Sequence, residues 1–274
     1  MMLGKKGNNL ITRRKKYRYT LIILLIFTGG VFVMHGADID DNQDVDNIDI
    51  YHKQFLLPTR SSSNLIPNDE RAETMMNAVK GDGVAARRLE RHFFTGRGDY
   101  YTGVFWLTIG AENDNSEAQY GLAILLLDNK IDKDFHQRGV FWLHKMASID
   151  YRDTEEWLEK IGFSLDTAQP PCDELFSFKY TTLTREQMFQ CKEGALQGSG
   201  QAALILAQYY NEIAKDTVSA EYWYRIGAQN GNIECQYQYG RILSGKQDML
   251  DQERGKFWIN HAIQNGYDFE RATN

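Results

Sequence analysis

The sequence predicts an all-α protein, a solenoid of about five helix-turn-helix repeats preceded by a single transmembrane helix. Three observations support this fold class. Residues 68–169 and 172–274 contain no proline, so long helices are permitted across most of the chain. Related tryptophan-containing segments recur through the same region. A strongly apolar run, residues 21–34, lies near the N-terminus behind a basic segment.

The composition is that of an ordinary globular protein. The chain has 274 residues, of which 25% are charged and 42% hydrophobic, and its net charge is −6. This length predicts one or two domains, and the composition excludes polytopic membrane proteins, collagen-like chains and fully disordered chains. Three cysteines are too few for a disulfide framework and lack the spacing of a zinc site.

The first nineteen residues indicate the orientation of a membrane anchor. Residues 1–19 carry seven Lys and Arg side chains and no acid, so the rest of the chain sums to −13 within the total of −6. The predicted transmembrane segment 20–36 follows, and counted from Tyr19 to Gly36 the uncharged stretch is about 27 Å long as a helix. The positive-inside rule holds residues 1–19 in the cytoplasm. We therefore expect a single-pass protein of the bacterial inner membrane with a periplasmic C-terminal domain, and no nucleic-acid partner for the basic segment.

A cleaved secretory signal is the alternative interpretation of the apolar segment. Cleavage after Ala37 places His35 at position −3, and cleavage after Gly36 places Met34 there. Both residues are poor at that position, so an uncleaved anchor is favoured. Residues 37–70 follow as an acidic and polar linker. Its aspartate-rich part, residues 38–50, lacks the central glycine and terminal glutamate of a calcium loop, which favours a solvated spacer.

A tryptophan segment repeats along the C-terminal two-thirds of the chain. GVFWLTIGAEND at 103–114 recurs as GVFWLHKMASID at 139–150, with seven of twelve positions identical, and looser copies occupy 220–231 and 255–266. The equivalent tryptophans are therefore Trp106, Trp142, Trp223 and Trp258. Their spacings of 36, 81 and 35 residues indicate that the middle gap contains one degenerate unit. We expect each of these tryptophans in the core between units rather than in an aromatic cage.

A second pattern precedes each tryptophan segment and predicts a first helix in each unit. A small residue is followed four positions later by a large one, in the pairs Ala85 and Leu89, Ala118 and Leu122, Ala202 and Leu206, and Cys235 and Tyr239. This spacing predicts a helix buried on one side, and the small residues allow a neighbouring helix to approach closely. Cys235 is accordingly predicted to be a buried thiol. Asp99 is expected to cap a second helix, and breaks are expected at Asn113-Asp114, Gly198, Asn230-Gly231 and Asn265-Gly266.

These patterns divide residues 71–274, the predicted solenoid, into five units: about 83–115, 116–152, 153–199, 200–232 and 233–269. The third unit is degenerate, with helices expected at 154–165 and 184–196 and Gln169-Pro170-Pro171-Cys172 inserted between them. In an oxidising periplasm, Cys172 and Cys191 could form a disulfide that contributes roughly 3 kcal/mol in the chain-entropy model.

Residues 83–269 resemble the Sel-one-like repeat (SLR) family, which is related to the tetratricopeptide repeat. The resemblance depends on Ala118 with Leu122-Ala123, on Trp223 with Ala228, and on Asn230-Gly231-Asn232. The chain departs from the family pattern where the Leu-Gly pair is mostly altered and where the third unit lacks its tryptophan. The resemblance implies a right-handed α/α superhelix that binds proteins or peptides and has no enzymatic activity.

The first helices supply the predicted partner-binding residues. Side chains turned away from the core are expected to line the concave face of the solenoid: Arg87, Arg91, Tyr120, Ile124, Leu204, Gln208, Tyr237 and Arg241. Arg and Tyr often contribute most of the binding energy at protein interfaces. No histidine pair has metal-ligand spacing, and no phosphate loop, nucleophile elbow or paired-carboxylate motif occurs. We therefore predict no catalytic residue, metal or cofactor.

The predicted function is a membrane-anchored periplasmic protein that binds a protein partner through its concave face. One specific role is an immunity protein that neutralises an antibacterial type VI secretion effector, such as a phospholipase. That role depends on analogy with similarly built repeat proteins. The alternative is a periplasmic regulator or assembly adaptor that binds a resident envelope protein. A third hypothesis is an enzyme whose site residues converge only in the folded chain.

Overall fold

The computed structural model describes residues 61–127, 132–163 and 173–268. These residues form eleven α-helices and no β-strand, which confirms the predicted all-α class. The helices are α1 (Asn68–Val79), α2 (Gly83–Arg91), α3 (Tyr100–Glu112), α4 (Ser116–Leu127), α5 (Lys133–Ala147), α6 (Thr154–Lys160), α7 (Arg185–Leu196), α8 (Gly200–Gln208), α9 (Thr217–Gln229), α10 (Ile233–Ser244) and α11 (Met249–Gln264).

Helices that follow one another in the chain pack against each other. The most extensive contacts join α10 to α11, α4 to α5, α8 to α9 and α2 to α3, and each of the last three pairs also contacts the next helix along the chain. In addition, α11 packs on α1. The last described helix therefore packs against the first, so the two ends of the described chain are in contact.

The predicted core tryptophans are buried. Trp106, Trp142 and Trp258 are at most 2% exposed and Trp223 is 7% exposed. They contribute to three clusters of apolar side chains, two formed by residues 66–158 and one formed by residues 176–258. Burying an aromatic side chain of this size removes more apolar surface from water than burying a smaller one, so these four positions stabilise the core.

Close helix packing explains the small residues of the first helices. A Cβ atom added to Gly227 on α9 would lie 2.3 Å from Cys235 Sγ on α10, and one added to Gly110 on α3 would lie 2.9 Å from Ala118 Cβ on α4. The backbones can approach this closely only because both partners are small. Cys235 is fully buried and its thiol is free, as predicted.

The predicted caps and breaks are also present. Asp99 accepts a hydrogen bond from the Thr102 backbone N–H at 3.2 Å and caps α3. The turns that follow α3, α9 and α11 contain Asp114, Gly231 and Gly266, all with positive φ. Such backbone is most readily adopted by Gly, Asn and Asp, so these residues end the helices.

The first described helix extends to the N-terminal side of the predicted linker boundary at residue 70. Helix α1 starts at Asn68, and the segment before it lies against the end of α2. There the Ile66 backbone N–H donates to His92 Nδ1 at 3.0 Å, and the Ser61 N–H donates to the Thr95 carbonyl at 3.1 Å. We call residues 61–66 the strap. It contacts a π-helical turn, His92–Arg97, that the sequence analysis did not predict; α8 ends in a similar turn, Tyr209–Ile213.

The degenerate unit contains both predicted helices, but the first is shorter than expected. Helix α6 ends at Lys160 rather than at 165, and Gly162 follows it with a φ of +83°. The second predicted helix is α7, which begins with a capping box formed by Thr184 and Gln187. The inserted segment 169–172 lies outside the described residues.

Two predictions fall on parts of the chain outside the described residues. The predicted anchor, 20–36, is one of them, and within the described ranges no helix has the length and apolar character needed to cross a membrane. The other is the disulfide. Cys191 is fully buried and forms no disulfide with another described residue, whereas Cys172 is outside the described residues, so the bridge stays a prediction.

Candidate functional site

Two buried arginines occupy matching places in the fold. Arg138 on α5 and Arg254 on α11 both begin the sequence Arg-Gly-x-Phe-Trp and are 2% and 3% exposed. Each guanidinium lies 4.0 Å from the ring centroid of the phenylalanine three residues later, Phe141 or Phe257. We call residues 61–163 the first half and residues 173–268 the second half, so each half contains one such arginine.

Arg254 reaches from the second half into the first. Its Nη2 donates to Glu112 Oε2 at 3.0 Å, and its Nη1 donates to Asn113 Oδ1 and to the Val79 carbonyl. Glu112 and Asn113 lie at the end of α3, and Val79 is the last residue of α1. The guanidinium thus occupies the C-terminal ends of two helices, where a positive charge is favourable.

Arg138 makes the reciprocal contacts. Its Nη2 donates to Gln229 Oε1 at 2.9 Å, and its Nη1 donates to Asn230 Oδ1 at 2.8 Å and to the Leu196 and Ala195 carbonyls at 3.3 and 3.5 Å. These acceptors lie at the C-terminal ends of α9 and α7. Each half therefore inserts one arginine between the helix ends of the other half.

Glu112 is the buried carboxylate between the halves. Its side chain has no exposed surface and accepts from Arg225 Nε at 2.8 Å, from Gln229 Nε2 at 2.8 Å and from Arg254. Burial raises the pKa of Glu112, but the charges of Arg225 and Arg254 outweigh this effect and hold it below its ordinary value. Burial lowers the pKa of Arg138 to about 9, so this side chain is still charged at neutral pH.

A cavity of about 160 Å³ lies where the halves meet. Its lining includes Glu112, Trp142, Lys145, Gln229, Trp258 and His261. Together with Arg138, Arg225 and Arg254, these residues come from the second helices of their units. The predicted partner-binding residues, in contrast, lie on the first helices α2, α4, α8 and α10.

Three of those predicted residues come together in what we call the outer patch, which consists of Arg87, Arg91, Glu117, Tyr120 and Arg152. Glu117 is contacted by Arg91 Nη2 at 3.0 Å, by Arg152 Nη2 at 3.5 Å and by Arg87 Nε at 3.6 Å. Three guanidinium groups thus surround one carboxylate. Arg87 also bonds Glu90 at 2.6 Å, and burial raises the pKa of Glu90 despite this ion pair.

Aromatic rings complete the outer patch. The Tyr120 hydroxyl donates to Asp153 Oδ1 at 3.0 Å, and the Arg152 guanidinium lies 5.3 Å from the Tyr120 ring and 5.1 Å from the Tyr151 ring. The side chains of Arg91 and Arg152 are 50% and 51% exposed. The arginines are therefore held by contacts on the protein while half of each side chain remains accessible.

The other predicted residues lie elsewhere. Tyr237 stacks on Tyr267 with ring centroids 4.0 Å apart, and the exposed Arg241 lies 5.9 Å from the Tyr237 ring. Ile124, Leu204 and Gln208 are half-buried, and Leu204 packs against the core of the second half. The eight predicted residues are thus divided between the halves.

Sequence reasoning missed several residues of these sites. Arg152, Tyr151 and Tyr267 lie outside the first helices, to which the predicted partner-binding residues are confined. One signal could have found the tyrosines: each lies nine residues after a repeat tryptophan, from 142 to 151 and from 258 to 267. The buried arginines were missed although the shared Arg-Gly-x-Phe-Trp sequence marks both of them.

Within the described ranges, no group of His, Cys, Asp and Glu side chains has an arrangement that could hold a metal ion. Comparisons with protein-family models, with curated proteins and with solved structures found no match to this chain. The geometry of the sites therefore carries the functional argument.

Proposed function

We propose that this chain is a membrane-anchored periplasmic repeat protein that binds a protein partner. In this proposal the described helices belong to a right-handed α/α superhelix of about five helix-turn-helix repeats. The observation that carries the proposal is the outer patch, in which three arginines surround Glu117 at the surface and one of them, Arg152, lies over the Tyr120 ring.

The chemistry of the outer patch suits an acidic partner surface. A guanidinium has five N–H donors, and one carboxylate cannot satisfy three guanidinium groups. Arg91 and Arg152 are half-exposed, so they retain donors for carboxylates of a partner. Because contacts with Glu117 and the tyrosines already order these side chains, binding costs less side-chain entropy than at a mobile surface.

The reciprocal arginines support the same proposal from the interior. Arg254 binds the ends of α1 and α3 and Arg138 binds the ends of α7 and α9, so the two halves are held to each other. Helices α2 and α4, which carry most of the outer patch, pack against α3. A fixed scaffold lets a partner bind without first ordering the surface.

The immunity role is the specific form of binding that we favour. A tether of the predicted type would concentrate the binding domain at the membrane that a phospholipase effector attacks, because tethering raises effective concentration. A regulator or adaptor that binds a resident envelope protein is the alternative. The two roles differ in the partner, so partner identity separates them.

Affinity capture tests the proposal. The full-length chain, with a C-terminal tag, is recovered in mild detergent from bacteria grown with competitors, and bound proteins are identified by mass spectrometry. We expect a secreted lipase-type effector that is lost when Arg91→Glu and Arg152→Glu are combined. Lys215→Glu and Lys256→Glu, which reverse exposed cations elsewhere, are the matched controls and should retain it.

Three results would change the account. A resident envelope protein lost from the same double variant would favour the regulator or adaptor. Capture that is equal for the double variant and the controls would contradict the outer patch as the binding surface. Recovery of no partner with the unaltered chain would contradict the binding function itself.

A further inference from the structure

The central cavity is lined by residues from matching positions of the two halves. Trp142 and Trp258 are equivalent within the repeated sequence, and Lys145 and His261 each follow their tryptophan by three residues. Glu112 and Gln229 are also equivalent, because Glu112 precedes Asn113 at the end of α3 and Gln229 precedes Asn230 at the end of α9. The cavity therefore lies between two surfaces formed by equivalent positions of the halves. Two of its charged lining residues, Lys145 and Glu112, lie where the halves differ in sequence.

The charge beside this cavity is positive. Arg138 donates hydrogen bonds to four uncharged oxygens, and among the described residues none of its acceptors is a carboxylate. Gln229, one of those acceptors, lines the cavity. A buried guanidinium without a counter-ion is unfavourable, so an anion nearby would be stabilised. Glu112 does not offset this charge, because Arg225 and Arg254 already bind it.

Unsatisfied donors point to the same class of ligand. Trp258 lines the cavity and is 2% exposed, and its Nε1 has no acceptor among the described residues. The Arg254 guanidinium lies 5.2 Å from the Trp258 ring, and its buried Nε also has no acceptor there. Both groups are hydrogen-bond donors. Of the two residues only Trp258 lines the cavity, and a ligand that accepts hydrogen bonds there would satisfy its Nε1.

The cavity is accessible and large enough for a small ligand. Asp114, Gly231 and Asn265 line it and are exposed, so it opens to solvent. Its volume of about 160 Å³ exceeds the ~30 Å³ that one water molecule occupies. The Asp114 carboxylate is paired with Lys145 Nζ at 3.1 Å, and Lys145 retains two further N–H donors at the cavity.

We propose that this cavity binds a small oxyanion, namely inorganic phosphate or a short dicarboxylate, between Lys145, Trp258 and the charge of the buried arginines. The site is separate from the outer patch, so it does not depend on the proposed protein-binding function. Binding between the halves would stabilise the contacts that join them.

Thermal unfolding of the full-length chain in detergent, with added anions, tests this proposal. Sodium phosphate and sodium malonate are titrated separately, and sodium chloride is added at matched ionic strength as the control. We expect a saturable rise in Tm with at least one of the two oxyanions and no such rise with chloride. A response to phosphate alone assigns phosphate, and a response to malonate alone assigns a dicarboxylate.

Two variants locate the site. Lys145→Met retains an unbranched side chain, one heavy atom shorter, but removes its charge and should weaken anion affinity about tenfold, as expected for a charge-assisted hydrogen bond. Trp258→Phe removes the indole N–H and should also weaken it. Trp106→Phe is the matched control, because Trp106 is equally buried and its Nε1 also lacks an acceptor among the described residues, but it does not line the cavity.

The result that would overturn the proposal is a Tm that rises equally with the oxyanions and with chloride. Unchanged anion affinity in Lys145→Met would also overturn it. If Trp258→Phe does not fold, Lys145→Met still decides the outcome, since Lys145 is partly exposed at the mouth of the cavity.

Discussion

Arg254 Nη2 lies 3.0 Å from Glu112 Oε2, although 142 residues separate the two in sequence. This contact joins α11 to the end of α3, and Arg138 makes the corresponding contact in the opposite direction with Gln229. The two contacts differ in charge, because Glu112 is a carboxylate and Gln229 is an amide. This difference leads to the first prediction.

Replacing either buried arginine should destabilise the protein, but by different amounts. Arg254→Met leaves Glu112 with one fewer cation in a buried site, which should cost about 3–5 kcal/mol of unfolding free energy. Arg138→Met leaves only uncharged acceptors unsatisfied and should cost about 1–3 kcal/mol. Urea denaturation measures both, with Lys256→Met, an exposed position on α11, as the control. Equal losses in the two variants would contradict the assigned roles.

Mild acid should weaken the protein through its buried histidines. Burial lowers the pKa of His92, His144 and His261, and the positive charges of Arg71 and Arg97 lower that of His92 further. In the unfolded chain these histidines titrate near ~6.5, so the unfolded state binds protons that the folded state does not. The histidine contribution to stability is therefore complete above about pH 6.5 and is lost as the pH falls below it.

His92→Asn tests the part of this effect that belongs to the strap. His92 Nδ1 accepts from the Ile66 N–H only when it is unprotonated, and the Asn side-chain oxygen can accept without titrating. The unfolding free energy of the variant should fall less steeply between about pH 7.5 and 5.5 than that of the unaltered chain. An unchanged slope would show that His92 does not contribute.

Close helix packing makes one glycine substitution costly and another tolerable. A Cβ at position 227 would lie 2.3 Å from Cys235 Sγ, so Gly227→Ala should destabilise by about 1–3 kcal/mol. At Gly121 the nearest atom is the end of the flexible Leu107 side chain at 3.3 Å, and alanine also favours the helix. Gly121→Ala should therefore change the unfolding free energy by less than about 1 kcal/mol. Similar urea midpoints for both variants would contradict this packing argument.

The features that the sequence predicted correctly are local. The spacing of Ala118 and Leu122, the tryptophan segment and the cap at Asp99 all depend on residues within one or two helical turns, where helical geometry fixes the relative positions. Trp106 and Cys235 were placed in the core by the same reasoning, and both are buried.

The features that were missed depend on distant contacts. Charged residues are exposed by default, so nothing local marks Arg138 and Arg254 as buried. Their partners lie about 90 and 140 residues away in sequence. The acidic and polar composition of residues 37–70 predicts a linker that includes the strap, and the contact of the strap with His92 involves a backbone N–H, which has no signature in the side-chain pattern.

The cysteines supply a chemical test of burial. Burial raises the pKa of Cys191 to about 11 and that of Cys235 well above its ordinary value, and both residues are fully buried. In the reduced, folded chain a thiol reagent should modify neither residue until the protein unfolds, because the thiolate is the reactive form. Rapid modification of either one in the folded chain would contradict the packing of α7 or α10.

The disulfide prediction needs a separate measurement. If Cys172 and Cys191 are joined in the periplasmic protein, mass mapping without reduction should find a peptide that contains both. Recovery of both as free thiols would contradict the bridge.

The most direct test of the binding proposal is the affinity of the captured partner for the outer patch. Calorimetric titration of that partner into the full-length chain should give a Kd at least about 30-fold weaker for the combined Arg91→Glu and Arg152→Glu variant. The unfolding free energy should change by less than about 1 kcal/mol, because exposed ion pairs contribute little to stability. An unchanged Kd in a folded double variant would contradict the assignment of the outer patch as the binding surface.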